Sequence, residues 1–232
     1  MTRLLAHAIT RRTTGGPEAG IGGRPLEQIA AGDLGLWATV WDGEPTLSRD
    51  DAFAHHDLVA VLCDSGPCLP VRFGTWLADA EAARRSVEAG QDRFTAAVDR
   101  LADRREIAIT LLWRDAAVTE GRGHALAPSG RAFLERQRAM HAVTDERRAA
   151  ADAFAVRLAA DLAVDQADVR HESCPSAEVA LSMSLLAGRD AADALKARAT
   201  VAAGAIDGVR AVVSGPWPPY SFTEELGSGR GG

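Results

Sequence analysis

The spacing of apolar positions divides the chain into short strands and helices, and its clearest rhythm lies in the second half. Residues 178–185, EVALSMSL, set Val179, Leu181, Met183 and Leu185 on one side and Ala180, Ser182 and Ser184 on the other. That alternation predicts a half-buried strand, closed by Gly188. Upstream, residues 106–113, EIAITLLW, form a second, β-branched run. Between them, Pro128-Ser129-Gly130 leads into an Ala/Arg-rich stretch over about 130–163. Its larger apolar residues, Phe133, Met140 and Val143, then Phe154, Leu158 and Leu162, recur at helical intervals. The charged or alanine-only span Asp145–Ala151 is expected to stand away from the core. Residues 168–174 read as a strand, 190–203 as a helix and Val209–Val213 as a last strand. The resulting order, β-α-β-β-α-β, is that of a ferredoxin-like split unit.

The first half is less regular. Leu4–Thr10, Asp33–Trp41 and Leu69–Phe73 read as strands. Ser48, followed by Asp50 and Asp51, is a good N-cap for a helix reaching Cys63. From Trp76 to about Leu101 a helix or broken helix carries Val87, Phe94, Val98 and Leu101 on one face, with Gly90 as the irregularity. The fold class expected is therefore α+β, sandwich-like, in two domains. Residues 1–104 form an N-terminal α/β domain. Residues 105–223 form a C-terminal ferredoxin-like domain with the long helix and a proline- and aromatic-rich clamp, and 224–232 a flexible tail. Thr119–Gly130 reads as a polar loop inside the second domain.

Composition narrows the classes. The chain has 232 residues, 47% hydrophobic and 25% charged, as in an ordinary globular protein. Aromatics are only 5%, so the core must be built from Ala, Val, Leu and Ile. A net charge of −6 argues against a nucleic-acid binder, and the paired arginines are interleaved with acids as on solvated helix faces. No run approaches the ~20 apolar residues of a membrane span, and the N-terminus lacks a signal-peptide core. Three cysteines, Cys63, Cys68 and Cys174, give no disulfide framework, so a reducing cytoplasm is the expected location.

Candidate chemistries are weak. Gly20-Ile21-Gly22-Gly23-Arg24-Pro25 starts like a dinucleotide fingerprint but ends in proline, and no clear helix follows it. Cys63 and Cys68 do not form a CxxC, and His55 and His56 are adjacent on a helix, a poor zinc set. His171 and Cys174 fall on opposite faces of a strand, which aims them badly as a base–nucleophile pair. No catalytic residue, cofactor site or metal site is expected.

The C-terminal stretch Ser214–Phe222, SGPWPPYSF, holds three of the ten prolines and the only tyrosine. It can be laid without gaps on Ser65–Phe73, SGPCLPVRF. Proline fixes φ and offers no ladder donor, so both stretches suit a sheet edge or a strand end. Pro216-x-x-Pro219 also fits the spacing of a PxxP ligand. LPVRFGT at 69–75 and GPWPPYSF at 215–222 resemble the two hallmark segments of the gas vesicle protein F/L family. GIGGRP at 20–25 resembles its Gly-rich turn, and GRAFLERQR at 130–138 the start of its long central helix. Trp76 departs from the aliphatic or smaller residue more usual after FGT.

This resemblance implies a two-domain α/β fold and a non-enzymatic role as an accessory or minor structural protein in gas vesicle assembly. It also implies contacts with the vesicle shell protein and other accessory proteins, without nucleic acid, membrane or cofactor. The candidate contact positions, toward a partner or between domains, are Arg72, Phe73, Trp76, Trp217, Tyr220 and Phe222. A purely internal role is expected first: the aromatics pin the tail to the fold and Arg72 pairs with a carboxylate. Two alternatives from other classes stand beside this reading. One is a small-molecule-binding or enzymatic ferredoxin-like module with a cleft gathering His171, Glu172 or Arg72. The other is an oligomerisation scaffold using the 130–163 helix.

Overall fold

The computed structural model describes residues 2–13, 15–44, 46–114 and 130–223, and side chains for all of these except 130–143. The expected loop at Thr119–Gly130, the tail at 224–232 and the side chains of Phe133, Met140 and Val143 lie outside the described residues. The chain forms two compact units, Met1–Arg105 with the segment from Trp217 onward, and Glu106–Pro216.

In the first unit, β1 (Thr2–Arg11) lies at the heart of a sheet with β2 (Leu26–Ala31), β3 (Leu34–Asp42) and β4 (Cys68–Pro70), in the order β2-β3-β1-β4. The two-residue β5 (Trp76–Leu77) also pairs with β1. Every residue from Leu4 to Thr10 is buried, because both faces of the sheet are covered. On one face Ala8 and Trp37 pack against Leu58, Val59, Leu62 and Cys63 of α1 (Arg49–Ser65). Alternation directs Leu4, Ala6, Ile9, Leu36 and Ala38 to the other face, where α2 (Ala80–Glu88) and α3 (Gln91–Arg100) run against the strands. The N-cap expected at Ser48 is formed, as a capping box: its hydroxyl accepts from Asp51 N–H and the Asp51 carboxylate accepts from Ser48 N–H.

The broken helix of the sequence reading resolves into β5, α2 and α3. Gly90 sits at the break, where a Cβ would meet the fully buried Phe94 ring at 2.7 Å. The strand β2 escaped the sequence reading because only Ile29 and Ala31 of LEQIAA are buried, with Leu26 half-buried on the opposite face, too little apolar signal to separate it from a loop.

The second unit is built as β6 (Arg104–Trp113), α4 (Gly130–Leu162), β7 (Val169–Ser173), β8 (Val179–Gly188), α5 (Ala192–Gly204) and β9 (Val209–Trp217). The sheet order β7-β8-β6-β9 is the ferredoxin-like arrangement expected from the sequence, and the fold is α+β. Ile107, Ile109, Leu111, Leu181, Met183 and Leu185 cover one sheet face and meet Ala155, Leu158 and Leu162 of α4 and Leu195 and Ala199 of α5. Alanine at the helix positions lets both helices approach the sheet closely, which is how a chain poor in aromatics fills its core. Helix α4 ends with Val164 N–H donating to the Ala159 carbonyl at 3.3 Å, while the exposed Ala163 takes a left-handed conformation (φ 51).

Both proline-bearing strands, β4 and β9, terminate their sheets, as proline requires. The segment after Pro216 returns to the first unit, whereas sequence adjacency had grouped it with the C-terminal half. The cause is packing: Tyr220 lies against the α1 cluster of the first unit.

Candidate partner-contact site

Three motif segments, distant in sequence, meet around α1. The first is the Gly-rich turn. Gly20 lies so close to β3 that a Cβ there would fall 2.2 Å from Thr39 Oγ1, and Ile21 N–H donates to that oxygen at 3.2 Å. Gly22 and Gly23 follow with φ of 65 and 72, conformations that favour glycine. The chain then enters β2 and not a helix, so no helix N-terminus faces these glycines and the dinucleotide alternative loses its geometry.

The second segment is Leu69–Thr75. Val71 N–H donates to the His7 carbonyl at 2.8 Å, extending the β1–β4 pairing. The Arg72 carbonyl accepts from Thr75 N–H at 3.2 Å and from Thr75 Oγ1 at 2.7 Å, closing a turn. That turn delivers Phe73 and Trp76 onto Leu5, Ile21 and Trp41. Trp76 meets Trp41 edge to face at 5.5 Å, and the Arg24 guanidinium lies 3.8 Å over the same Trp41 ring. Arg72 itself is exposed and has no ion pair among the described residues, so the expected carboxylate partner is not found.

The third segment is 217–222. The β9 strand carries the extended backbone through Pro216 to Trp217, after which Tyr220–Phe222 closes as a 3₁₀ turn. Pro218, Pro219 and Phe222 are buried, and Arg100 sits 6.0 Å over the Phe222 ring. Tyr220 stacks on His55 at 6.3 Å. Trp217, 38% exposed, meets His56 edge to face at 5.0 Å. Lys196, the chain's one lysine, donates to the Gly215 carbonyl at 2.5 Å and anchors the approach to this segment.

At the centre lies a pair the sequence reading did not assemble. His7 and His55, 0% and 2% exposed, approach at 2.9 Å between their Nδ1 atoms. His7 Nε2 lies 2.6 Å from Thr39 Oγ1, and His55 Nε2 lies 3.1 Å from the Val71 carbonyl. The carbonyl can only accept, so His55 carries its proton on Nε2 and its Nδ1 accepts. His7 must then donate from Nδ1 and accept at Nε2 from the Thr39 hydroxyl. One neutral tautomer of each ring satisfies every contact. Burial pushes His7 down to about 3, with His55 beside it adding to the shift. Burial likewise pushes His55 down to about 4, against the raising effect of its bond to Val71. Alternation from Leu5 places His7 on the α1 face, and the register shift between Ala6 and Ala8 brings Ala8 to the same face beside it.

The other flagged groups are dispersed. Cys63 and Cys68 are buried in the α1 cluster, where contact with Cys63 and then burial hold the Cys68 thiol well above its ordinary value. His55 faces His7, and His56 faces Trp217, so neither joins the cysteines. Among the described residues no group of three or more His, Cys, Asp or Glu could hold a metal ion. His171 and Glu172 are exposed on β7. A cleft of about 460 Å³ beside β5 is lined by Thr2, Arg3, Trp76, Leu77, Ala78 and Asp79. None of His171, Glu172 or Arg72 lines it.

The family model described as gas vesicle synthesis protein GvpL/GvpF matches residues 4–224. The chain belongs to the GvpL/GvpF family. It is 30% identical over 244 aligned positions to gas vesicle protein L of Streptomyces sp. (strain CB03234), with 93% of this chain and 91% of that protein covered. Its fold matches the crystal structure of gas vesicle protein GvpF from Anabaena sp. PCC7120, with a TM-score of 0.72, 15% identity and 97% of each chain covered. It also matches GvpF from Microcystis aeruginosa, with a TM-score of 0.71, 14% identity and coverage of 96% and 99%. GvpL/GvpF members are gas vesicle proteins, and among the described residues no helix of this one is long and apolar enough to cross a membrane.

Proposed function

We propose that this protein is an accessory or minor structural protein of gas vesicle assembly, acting in the cytoplasm by contacts with the vesicle shell protein and other accessory proteins. The observation that carries the reading is the family match over residues 4–224. The side-chain placement supports it. Of the six candidate contact positions, Phe73, Trp76, Tyr220 and Phe222 are committed to internal packing. Arg72 and Trp217 are turned outward, and we assign partner contact to these two.

The test is twofold. Co-expression with the shell and accessory proteins followed by affinity capture should retain at least one of them, and deletion of the gene should abolish or deform vesicles. No capture together with normal vesicles after deletion refutes the reading. The alternative of a small-molecule-binding or enzymatic module has no specific observation in its favour: the titratable residues it would recruit do not line the cleft beside β5.

A further inference from the structure

Six large hydrophobic side chains stand exposed among the described residues: Phe53, Val61, Val156, Val201, Val212 and Trp217. Two of them, Phe53 and Val61, lie on the exposed side of α1, and a third, Trp217, packs against that helix. Phe53 (56% exposed) and Ala60 are seven residues apart and therefore share a line along the helix. Trp217 borders that line through its edge-to-face contact with His56. Val61 lies on the other side.

Between Val61 and the Phe53–Ala60 line runs a row of acids with the same seven-residue spacing, Asp50, Asp57 and Asp64, all with exposed side chains. Asp64 is paired with Arg105, which leaves Asp50 and Asp57 as the acids presented outward. The inner face of α1 is already filled by the sheet, so the outer apolar line serves no internal packing.

From Asp50 to Asp64 the helix rises about 21 Å, four turns, which is the length over which a second helix can lie alongside. Arg49 lies over the Phe53 ring at 5.4 Å at the start of the line, so the acidic charge is confined to the Asp50–Asp57 border; that border selects an amphipathic helix carrying Lys or Arg on the matching side of its own apolar line. A second copy of this chain is the poorer occupant, since it brings the same acidic row and a net charge of −6. We propose that the outer face of α1, with Trp217, is the docking surface for a basic-flanked amphipathic helix of an assembly partner. The proposal rests on the reading that the protein acts through protein contacts.

The test uses two labelled helical peptides of the same length, each with leucines repeating every seven residues, one flanked by lysines and one by glutamates. Fluorescence anisotropy with the full-length protein should show the lysine peptide binding at least about tenfold more tightly, with the difference shrinking as salt is raised. Phe53→Asp should abolish binding while leaving the melting temperature unchanged, and Asp57→Lys should reverse the preference between the two peptides. Equal affinity for both peptides, or undiminished binding by Phe53→Asp, overturns the proposal. So does a wild-type dimer in sedimentation that Phe53→Asp dissolves, or binding that appears only after residues 224–232 are removed.

In vesicle-forming cells the two readings separate. If deletion abolishes vesicles and Phe53→Asp leaves them normal, the docking surface is wrong and the assembly role stands. If deletion leaves vesicles normal, the assembly role itself fails.

Discussion

Acid should unfold this protein through the His7–His55 pair, and the size of the effect follows from the geometry. Both imidazoles are neutral in the fold, held by donors and acceptors that leave no site for another proton, and their values fall from the ordinary 6.5 to about 3 and about 4. The unfolded chain binds protons that the folded chain cannot, so stability is complete above about pH 6.5 and falls as the pH drops below it. The loss continues until the folded-state values near 4 and 3 are reached. At about pH 5, each ring lies roughly 1.5 units below its unfolded value, or about 2 kcal/mol, and the pair together about 4 kcal/mol. That is a large share of the 5–15 kcal/mol typical of a domain.

Urea denaturation at about pH 7.5 and pH 5 measures it. The wild type should lose about 4 kcal/mol more than a His7→Gln/His55→Gln double variant, in which the carboxylate contributions are the same and cancel. A His7→Gln single variant should show about half that difference. Nitrogen-detected NMR should find His7 protonated on Nδ1 and His55 on Nε2 throughout this range. Equal pH dependence in wild type and double variant, or either ring titrating near 6.5, refutes the network.

Replacing Phe222 with Ala should cost about 3 kcal/mol, because the ring is 5% exposed, whereas Trp217→Ala should cost under about 1 kcal/mol. Thermal melts of the two variants check this, and a larger loss for Trp217 would show that the tail is pinned from the wrong end. Gly20→Ala should lower stability by about 2 kcal/mol or more, since its methyl would collide with Thr39, and it should also raise the pH at which the histidine pair gives way. Ala163→Gly should stabilise the protein by about 0.5–1 kcal/mol by relieving the left-handed conformation at the end of α4, readable as a rise in the denaturation midpoint.

What could be read from the sequence depended on the range of the interaction. The strands and helices of the second unit were legible because EVALSMSL and EIAITLLW state their period locally, and the β-α-β-β-α-β order then leaves few arrangements of the sheet. Strand β2 was not legible: it is an edge strand held by pairing with β3, and its two buried residues, one of them alanine, are too few to state a period. The motif segments 20–25, 69–75 and 215–222 were each legible as something unusual, and their prolines announced strand ends. Their meeting place was not, because it depends on contacts between residues far apart in the chain. His7 and His55 are separated by 48 positions, and nothing in the local pattern of either stretch pairs them. The missing partner of Arg72 and the exposure of Trp217 were invisible for the same reason.

That meeting place changes how the three segments should be interpreted. Thr39 accepts from the backbone of the Gly-rich turn and donates to His7; His7 donates to His55; His55 donates to the backbone of the LPVRFGT segment and supports Tyr220 of the C-terminal segment. Each bond has one direction because each ring has one satisfactory tautomer, so a change in any segment is felt by the other two. Residues so constrained cannot also be free to adapt to a partner. The segments 20–25, 69–75 and 215–222 therefore form a packing centre in this chain, and on the proposed function recognition falls to side chains that this centre positions without consuming. On the proposed reading those are Arg72, Trp217 and the outer line of α1, the helix whose inner side carries His55. A substitution on that outer line should alter binding without touching the histidine network, and one in the network should alter stability first and binding only as a consequence.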